Sequence, residues 1–438
     1  MKRWMVIATI VATMVGIAGL GAGPAMAATP HAPIDINGNS GFNAVNSGVT
    51  NQPCGGVLNP VCRINGWQIS SGSGGFCIRI QGTTTPYIIE NNTCSGGPNG
   101  IVLSSAPNGT VRQNTISGLN GTTGSFDANA IMMDQSNNTT IAGNQISNIR
   151  GANGTSTHKD GGSAFGIHLG RSATVDVESN RISQVSGGFG FSGTATSPNG
   201  GNGGSGFGIR AQGGAPTTLA LVLGPVSLQF GAPISTLLGP VVDMLRPVLA
   251  PMLAVTPSNL DVKNNNISGI SGSFGAIGAY VGSGTGGKGG NGGSAAAASV
   301  DGGTTSYADV HVTGNTMNTM SGSSGAIGGS GRSGGDGGSG GSAHGVQLVN
   351  VGGGTSTVTG NTITGVYGAS GAIGGSGVFG LGVGGRGGNG GDAIGIRKSN
   401  VTVNPFANNI SFLFAGTGAL GGFPGGANGQ SGQARAIV

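Results

Sequence analysis

The chain has 438 residues, of which 97 are Gly, 36% are hydrophobic and only 7% are charged, with a formal net charge of +5. Ile and Val spread along its length exclude simple disorder, which goes with few β-branched residues and high net charge, and Gly does not recur at every third position over long stretches, which excludes collagen. Lys and Arg are scattered, with no basic run and no interleaved aromatics, so nucleic-acid binding is not expected.

At the N-terminus Lys2 and Arg3 precede an apolar stretch from Met5 to Leu20. Gly23-Pro24 breaks it, and Ala25-Met26-Ala27 sets small residues on either side of Met26. This is the pattern of a secretory signal with cleavage expected after Ala27 or Ala28. The rival, a membrane anchor, requires a longer span of about 20 residues. Residues 1–27 are read as a signal peptide, and the protein as secreted, at the cell surface or periplasmic. Residues 28–72 form an N-terminal capping segment. The four cysteines, Cys54, Cys62, Cys77 and Cys94, lie early in the mature chain. An even count in an oxidising compartment points to disulfides, and Cys54 and Cys62 read as the ends of a closed loop. The rival is a zinc site, which the spacing disfavours because it offers no C-x-x-C and no nearby His pair. The partners of Cys77 and Cys94 stay open.

From residue 73 to 412 the chain repeats. An Asn-x-(Ile/Met/Cys) tripeptide follows a β-branched stretch at Asn92, Asn114, Asn144, Asn180, Asn265, Asn315, Asn361 and Asn408. A branched apolar residue stands three positions before most of these, from Ile89 and Val111 to Val358. Each copy is preceded by a Gly/Ala-apolar-x-apolar segment, such as Ile101-Val-Leu103 or Ile167-His-Leu169, with a weakened copy at Ala298-Ser-Val300. These are short strands of alternating in/out residues joined by Asn- and Gly-rich turns. Successive Asn residues stand 22, 30, 36, 85, 50, 46 and 47 apart. A unit of 22 residues suits one coil of a solenoid, and the extra residues fall mostly at one corner, as a solenoid tolerates. One coil cannot bury its own Ile/Val column, but coils stacked about 4.8 Å apart can, and an Asn at the same turn of every coil can hydrogen-bond along the stack.

These repeats resemble those of the secreted right-handed parallel β-helix proteins of the pectin-lyase-like superfamily, NosD-like proteins among them. The opening segment, with Ile34-Asp-Ile36, Asn46-Ser-Gly-Val49 and Arg63 to Ile69, is similar to the first, capping coil of such proteins. The resemblance spans residues 34–412 and implies an all-β fold: a right-handed parallel β-helix of about eight to nine coils. It says little about activity, because one fold hosts many.

Gly-rich insertions interrupt the coils near 186–206, 271–294, 321–342 and 367–392, and residues 413–438 form a Gly-rich tail. Three of them keep the same lead (Gly-Ala-Ile-Gly) and the same Gly-Gly-x return, in phase with the coils. A disordered linker would not keep register, so the expectation is a flank of extended chains resembling polyglycine-II modules, stacked so that neighbouring backbones satisfy one another. Residues 215–257 are apolar and rich in Pro. They read as a subdomain on the side of the solenoid, or, over 219–255, as a contact for a membrane surface or protein partner.

Two outward columns follow from the alignment. One runs Thr110, Thr140, Asp176, Asp261, His311, Thr357, with Glu178, Lys263 and Asp309 beside it. The stacked carboxylates Asp176 and Asp261 next to His311 are the candidate catalytic group, since such a pair can shift pKa values and do acid/base work; the simpler reading is a solvated face with partial charge pairing. The other column runs Arg79, Val102, Met132, His168, Arg210, Ser299, Gln347, Arg397, a mixed polar face suited to sugar or anion contact. No resident metal or cofactor is called for, although a divalent cation such as calcium could sit at the acidic pair. The leading expectation is a non-enzymatic cell-surface or periplasmic scaffold, adhesive or glycan-binding, with polysaccharide or the cell envelope as partner. The alternatives are a polysaccharide lyase or glycoside hydrolase, and an ice- or mineral-binding protein using the Gly-rich face. Oligomeric state is not legible.

Overall fold

The computed structural model describes residues 29–72, 75–123, 126–213, 259–302, 307, 309–351, 356–378, 382–399 and 407–438. The signal segment and the apolar insertion at 215–257 lie outside the described residues.

Three parallel sheets run the length of the molecule. The first stacks the strands that follow each repeat Asn, from Thr29–His31 to Asn409–Phe414. The second stacks the Gly-apolar-x-apolar strands, from Ile34–Asn37 to Ala434–Ile437. The third stacks the strands that lead into each Asn, from Cys62–Asn65 to Thr357–Thr359. Among the described residues the first two have ten strands and the third has eight, so eight coils are complete on all three sides there. Chain order cycles second, third, first, and every step to the next coil returns parallel to its predecessor, the right-handed parallel β-helix that the repeat implied. The single helical element among the described residues is a short 3-10 turn, Asn39–Asn43.

Strand alternation explains the interior. Ile101, Ile131, Ile167, Ile209, Ala298, Val346 and Ile396 are register partners in successive coils, and all are fully buried. Each large aliphatic side chain so buried contributes about 1.5–3 kcal/mol. The weakened copy at Ala298 stays in register, its column narrowed by Ala295, Ala297 and Ala298.

The repeat Asn residues form one continuous ladder. Each Nδ2 donates to the Oδ1 of the next Asn at 2.9–3.0 Å, from Asn92 to Asn408, and to a carbonyl of the preceding coil, as Asn180 does to Ile141 at 2.9 Å. Each backbone N–H also donates to the next Oδ1. A buried amide with all its groups paired costs nothing in desolvation, whereas most replacements would leave partners orphaned. The residue before each ladder Asn takes a positive φ, from Asn91 (54°) to Ala407 (64°), and this turns the chain out of the third sheet into the first.

Two disulfides close the N-terminal coils. Cys54 pairs with Cys62, and Cys77 with Cys94 in the interior. The cysteines are therefore not zinc ligands.

The Gly-rich insertions are ordered. Each leaves the end of a first-sheet strand, runs out, turns and returns to a second-sheet strand. Outgoing and returning chains lie side by side with one backbone hydrogen bond at every third residue. One row runs Gly188 N–H to Gly162 O, Gly204 to Gly188, Ser273 to Gly204, Gly293 to Ser273 and on to Gly432, at 2.7–3.0 Å. The closeness requires Gly: a Cβ on Gly290 would stand 1.9 Å from the Gly201 carbonyl oxygen, and one on Gly338 2.0 Å from that of Gly290. Residues 416–432 continue the same rows, and Ala434–Ile437 then adds a last strand to the second sheet.

Candidate functional site

The second sheet presents three outward columns. Its middle column is Arg79, Val102, Met132, His168, Arg210, Ser299, Gln347 and Arg397, each the register partner of the next. Two residues further along each strand stand Ser104, Asp134, Gly170, Gln212 and Asp301. Around the middle coils these columns sink into a cleft of about 560 Å³, lined by Met132, Asp134, His168, Arg171, Gln212 and Asp301 together with neighbouring backbone.

His168 is held from three sides. Its Nδ1 lies 3.2 Å from the Asn129 side-chain oxygen and its Nε2 3.1 Å from that of Gln212. Its ring stacks on Phe165, with centroids 4.4 Å apart. Burial pushes the imidazole below its ordinary pKa and the Arg210 charge adds to this, against the Gln212 hydrogen bond. The neutral ring carries one N–H, so one of the two side-chain amides must turn its NH₂ toward it. Phe165 and Phe207 are stacked almost coplanar, 5.4 Å apart, and the Arg210 guanidinium lies 4.7 Å from the Phe207 ring centre. Arg171, in the turn beyond the strand, forms a two-pronged ion pair with Asp134, with Nε 2.9 Å from Oδ1. The cleft therefore combines a held imidazole with guanidinium, amide and carboxylate groups.

Sequence reasoning picked out His168 and Arg210 but missed Asp134, Arg171, Gln212 and Asp301. For Asp134, Gln212 and Asp301 the signal was present, since they sit two residues past the middle column and so face the same way. Arg171 lies in a turn, where alternation does not reach.

The third sheet carries the other column. Thr110, Thr140, Asp176, Asp261, His311 and Thr357 are register partners, as are Glu178, Lys263 and Thr313 beside them. Asp309 pairs in register with Asn259 at the start of the strands. Lys263 Nζ lies 2.6 Å from Asp261 Oδ2, while Asp261 Oδ1 is buried without a hydrogen-bond partner. His311 Nδ1 bonds the Thr357 hydroxyl at 2.8 Å. Partial burial raises the pKa of Asp176, with the neighbouring Asp261 and Glu178 charges adding and Lys263 opposing. The structure thus brings the three candidate catalytic residues onto one face. It also places Glu90 further along that sheet, bridging Arg63 and Arg112 at 2.8 and 2.6 Å.

Three comparisons place the chain among known proteins. Residues 27–200 match the NosD family, described as "Periplasmic copper-binding protein (NosD)". The match covers the opening segment and the first repeats, and supports the pectin-lyase-like parallel β-helix read from those residues. No curated protein matches. Among solved structures, an alginate lyase from Paenibacillus sp. str. FPU-7 is similar at 14% identity, over 87% of this chain and 99% of that chain, with a TM-score of 0.22. That likeness is too slight to carry an argument about activity. The family description raises copper, and the described residues do not fit it. All four cysteines are in disulfides, and no group of three or more His, Cys, Asp or Glu stands together among the described residues. At the acidic pair the Lys263 ammonium already neutralises one oxygen of Asp261. The disulfides and the periplasmic family fit an exported protein.

Proposed function

We propose that the protein is an exported β-helix scaffold that binds a polysaccharide in the second-sheet cleft and does not cut it. The observation that carries this reading is the cleft itself, lined by His168, Gln212, Asp301 and the Arg171–Asp134 pair, with Arg210 on the neighbouring strand over the Phe207 ring. Amide, imidazole, guanidinium and carboxylate groups match the hydroxyls of a sugar and any carboxylate it carries. The second reading is a lyase or hydrolase acting at Asp176, Asp261 and His311. It is favoured by the raised pKa of Asp176 and weakened by the Lys263–Asp261 ion pair, which ties down one of the two carboxylates. The test is a polysaccharide panel against the mature protein, following both binding and the release of reducing or unsaturated ends. Binding that the Arg210→Ala and Gln212→Ala substitutions weaken about tenfold or more, with no release, is the expected result. Release that survives those substitutions but is lost in Asp176→Asn/Asp261→Asn would give the function to the third sheet instead.

A further inference from the structure

The Gly-rich flank has two unlike faces. Its three-residue period buries two residues of every three against neighbouring chains and exposes the third. On the returning chains the exposed third residues are polar or charged, such as Lys288, Asn291, Arg386 and Asn389, and Lys288 reaches Asp336 of the next layer at 3.8 Å. On the outgoing chains they are apolar along the middle row. Ile277, Ile327, Ile373 and Leu420 follow one another in adjacent layers, linked by hydrogen bonds from Gly278 to Ile327, Gly328 to Ile373 and Gly374 to Leu420. Their exposures are 56%, 49%, 49% and 64%. One three-residue step further out, Tyr280 and Phe423 stand in the first and last of these layers, 68% and 67% exposed, with Ser330 and Ser376 between them. Phe189 and Phe274 stack at 6.1 Å on the inner side of the row.

We propose that this face is the contact between two copies of the chain. Taking about 200 Å² for a full side chain of this size, these eight residues expose roughly 900 Å². Monomers ordinarily carry patches of about 300–600 Å², and a standard interface covers about 800 Å² on each partner. None of the eight is charged, and Arg150, whose guanidinium lies 4.9 Å from the Phe189 ring centre, stands only at the inner edge, so the Ile and Leu row itself offers nothing to an ionic partner and can pack against a copy of itself. A two-fold axis along the polyglycine chains, between the Ile327 and Ile373 layers, sets Ile327 on Ile373 of the second copy, Ile277 on Leu420 and Tyr280 on Phe423. All three pairings join side chains of like character. The face lies on a different side of the solenoid from the cleft, so dimerisation would leave both clefts open.

The test is sedimentation of the mature protein over a concentration series. The wild type is expected to form a two-copy species. Ile327→Lys/Ile373→Lys should be monomeric throughout, and Lys288→Ser/Arg386→Ser, on the polar face, should dimerise like the wild type. Ile327→Ser/Ile373→Ser, which copies the Ser rows on either side, keeps the test valid if the Lys variant loses its β-sheet circular dichroism. A wild type that stays monomeric, or apolar-face variants that still dimerise, would overturn the proposal. A monomeric wild type that co-floats with phosphatidylcholine vesicles would assign the face to lipid and overturn it equally.

Discussion

Replacing Asn180 by Ala removes a side chain that is 1% exposed and makes four hydrogen bonds. Its Nδ2 donates to Ile141 O and Asn265 Oδ1, at 2.9 and 3.0 Å, and its Oδ1 accepts from the backbone N–H and Nδ2 of Asn144, both at 2.9 Å. After truncation Asn144 Nδ2 keeps the Val111 carbonyl and Asn265 Oδ1 keeps the Asn180 backbone N–H, but the buried Asn144 N–H loses its side-chain acceptor. One orphaned buried donor costs about 1–3 kcal/mol and each of the three further lost bonds about 1 kcal/mol, so the sum is roughly 4–6 kcal/mol. Asn408, at the far end of the ladder, is only partly buried. Its Oδ1 accepts the same two bonds from Asn361, but water can replace them, so Asn408→Ala should cost only about 1 kcal/mol. Urea unfolding followed by circular dichroism measures both. A long stack need not unfold in one step, so the comparison should be made on the transition that reports the central coils. Equal costs at the two positions, or a cost below about 1 kcal/mol for Asn180→Ala, would refute the view that the ladder is a load shared by mutually satisfied buried amides.

Thr319 sits at φ 59° within the strand Thr316–Ser321, at a position where other coils place Gly118, Gly269 and Gly365. Thr319→Gly should therefore stabilise by about 1 kcal/mol, read as a raised unfolding midpoint, because a β-branched residue is disfavoured there. Gly338→Ala should destabilise by about 3 kcal/mol or more, since the new Cβ would meet the Gly290 carbonyl oxygen at 2.0 Å and break the row on both sides; faster amide exchange at Gly338 and Ala326 would report the opening. Burial holds His344 at a pKa of about 4, with the Arg397 charge adding and Asp392 opposing. The folded state then resists a proton that the unfolded chain takes up below about pH 6.5, so stability should fall as the pH drops from about 6.5 toward 4, by up to about 1.4 kcal/mol per pH unit. His344→Leu should flatten this slope, and an unchanged slope would locate the acid sensitivity elsewhere.

Much of the architecture could be read from the residues, because a solenoid writes its register in plain repetition. Aligning the coils on Asn180 and Asn265 placed Asp176 beside Asp261, the Gly-apolar-x-apolar segments placed His168 beside Arg210, and each of these pairs is a true register partner. The phase shared by Gly290, Gly338 and Gly388 anticipated the ordered flank, since only close backbone contact needs Gly at fixed intervals. What escaped depends on contacts between coils rather than on repetition within them. Arg171 reaches Asp134 from a turn, with a gap of 37 residues. Cys77 and Cys94 carry no mark of their pairing, because the fold alone brings them together across the interior. The split of the flank into an apolar and a polar face rests on a three-residue period carried separately by the outgoing and returning chains, and it emerges only when several insertions are layered.

The proposed function rests on the cleft around His168, with Arg210 on the neighbouring strand, and titration of the protein with a panel of neutral and acidic polysaccharides, with chain ends assayed in the same samples, addresses it most directly. The account predicts saturable binding of at least one polysaccharide, weakened by Arg210→Ala and indifferent to Asp176→Asn/Asp261→Asn, with no new reducing or unsaturated ends. Release of such ends, abolished by the Asp176→Asn/Asp261→Asn pair, would contradict it.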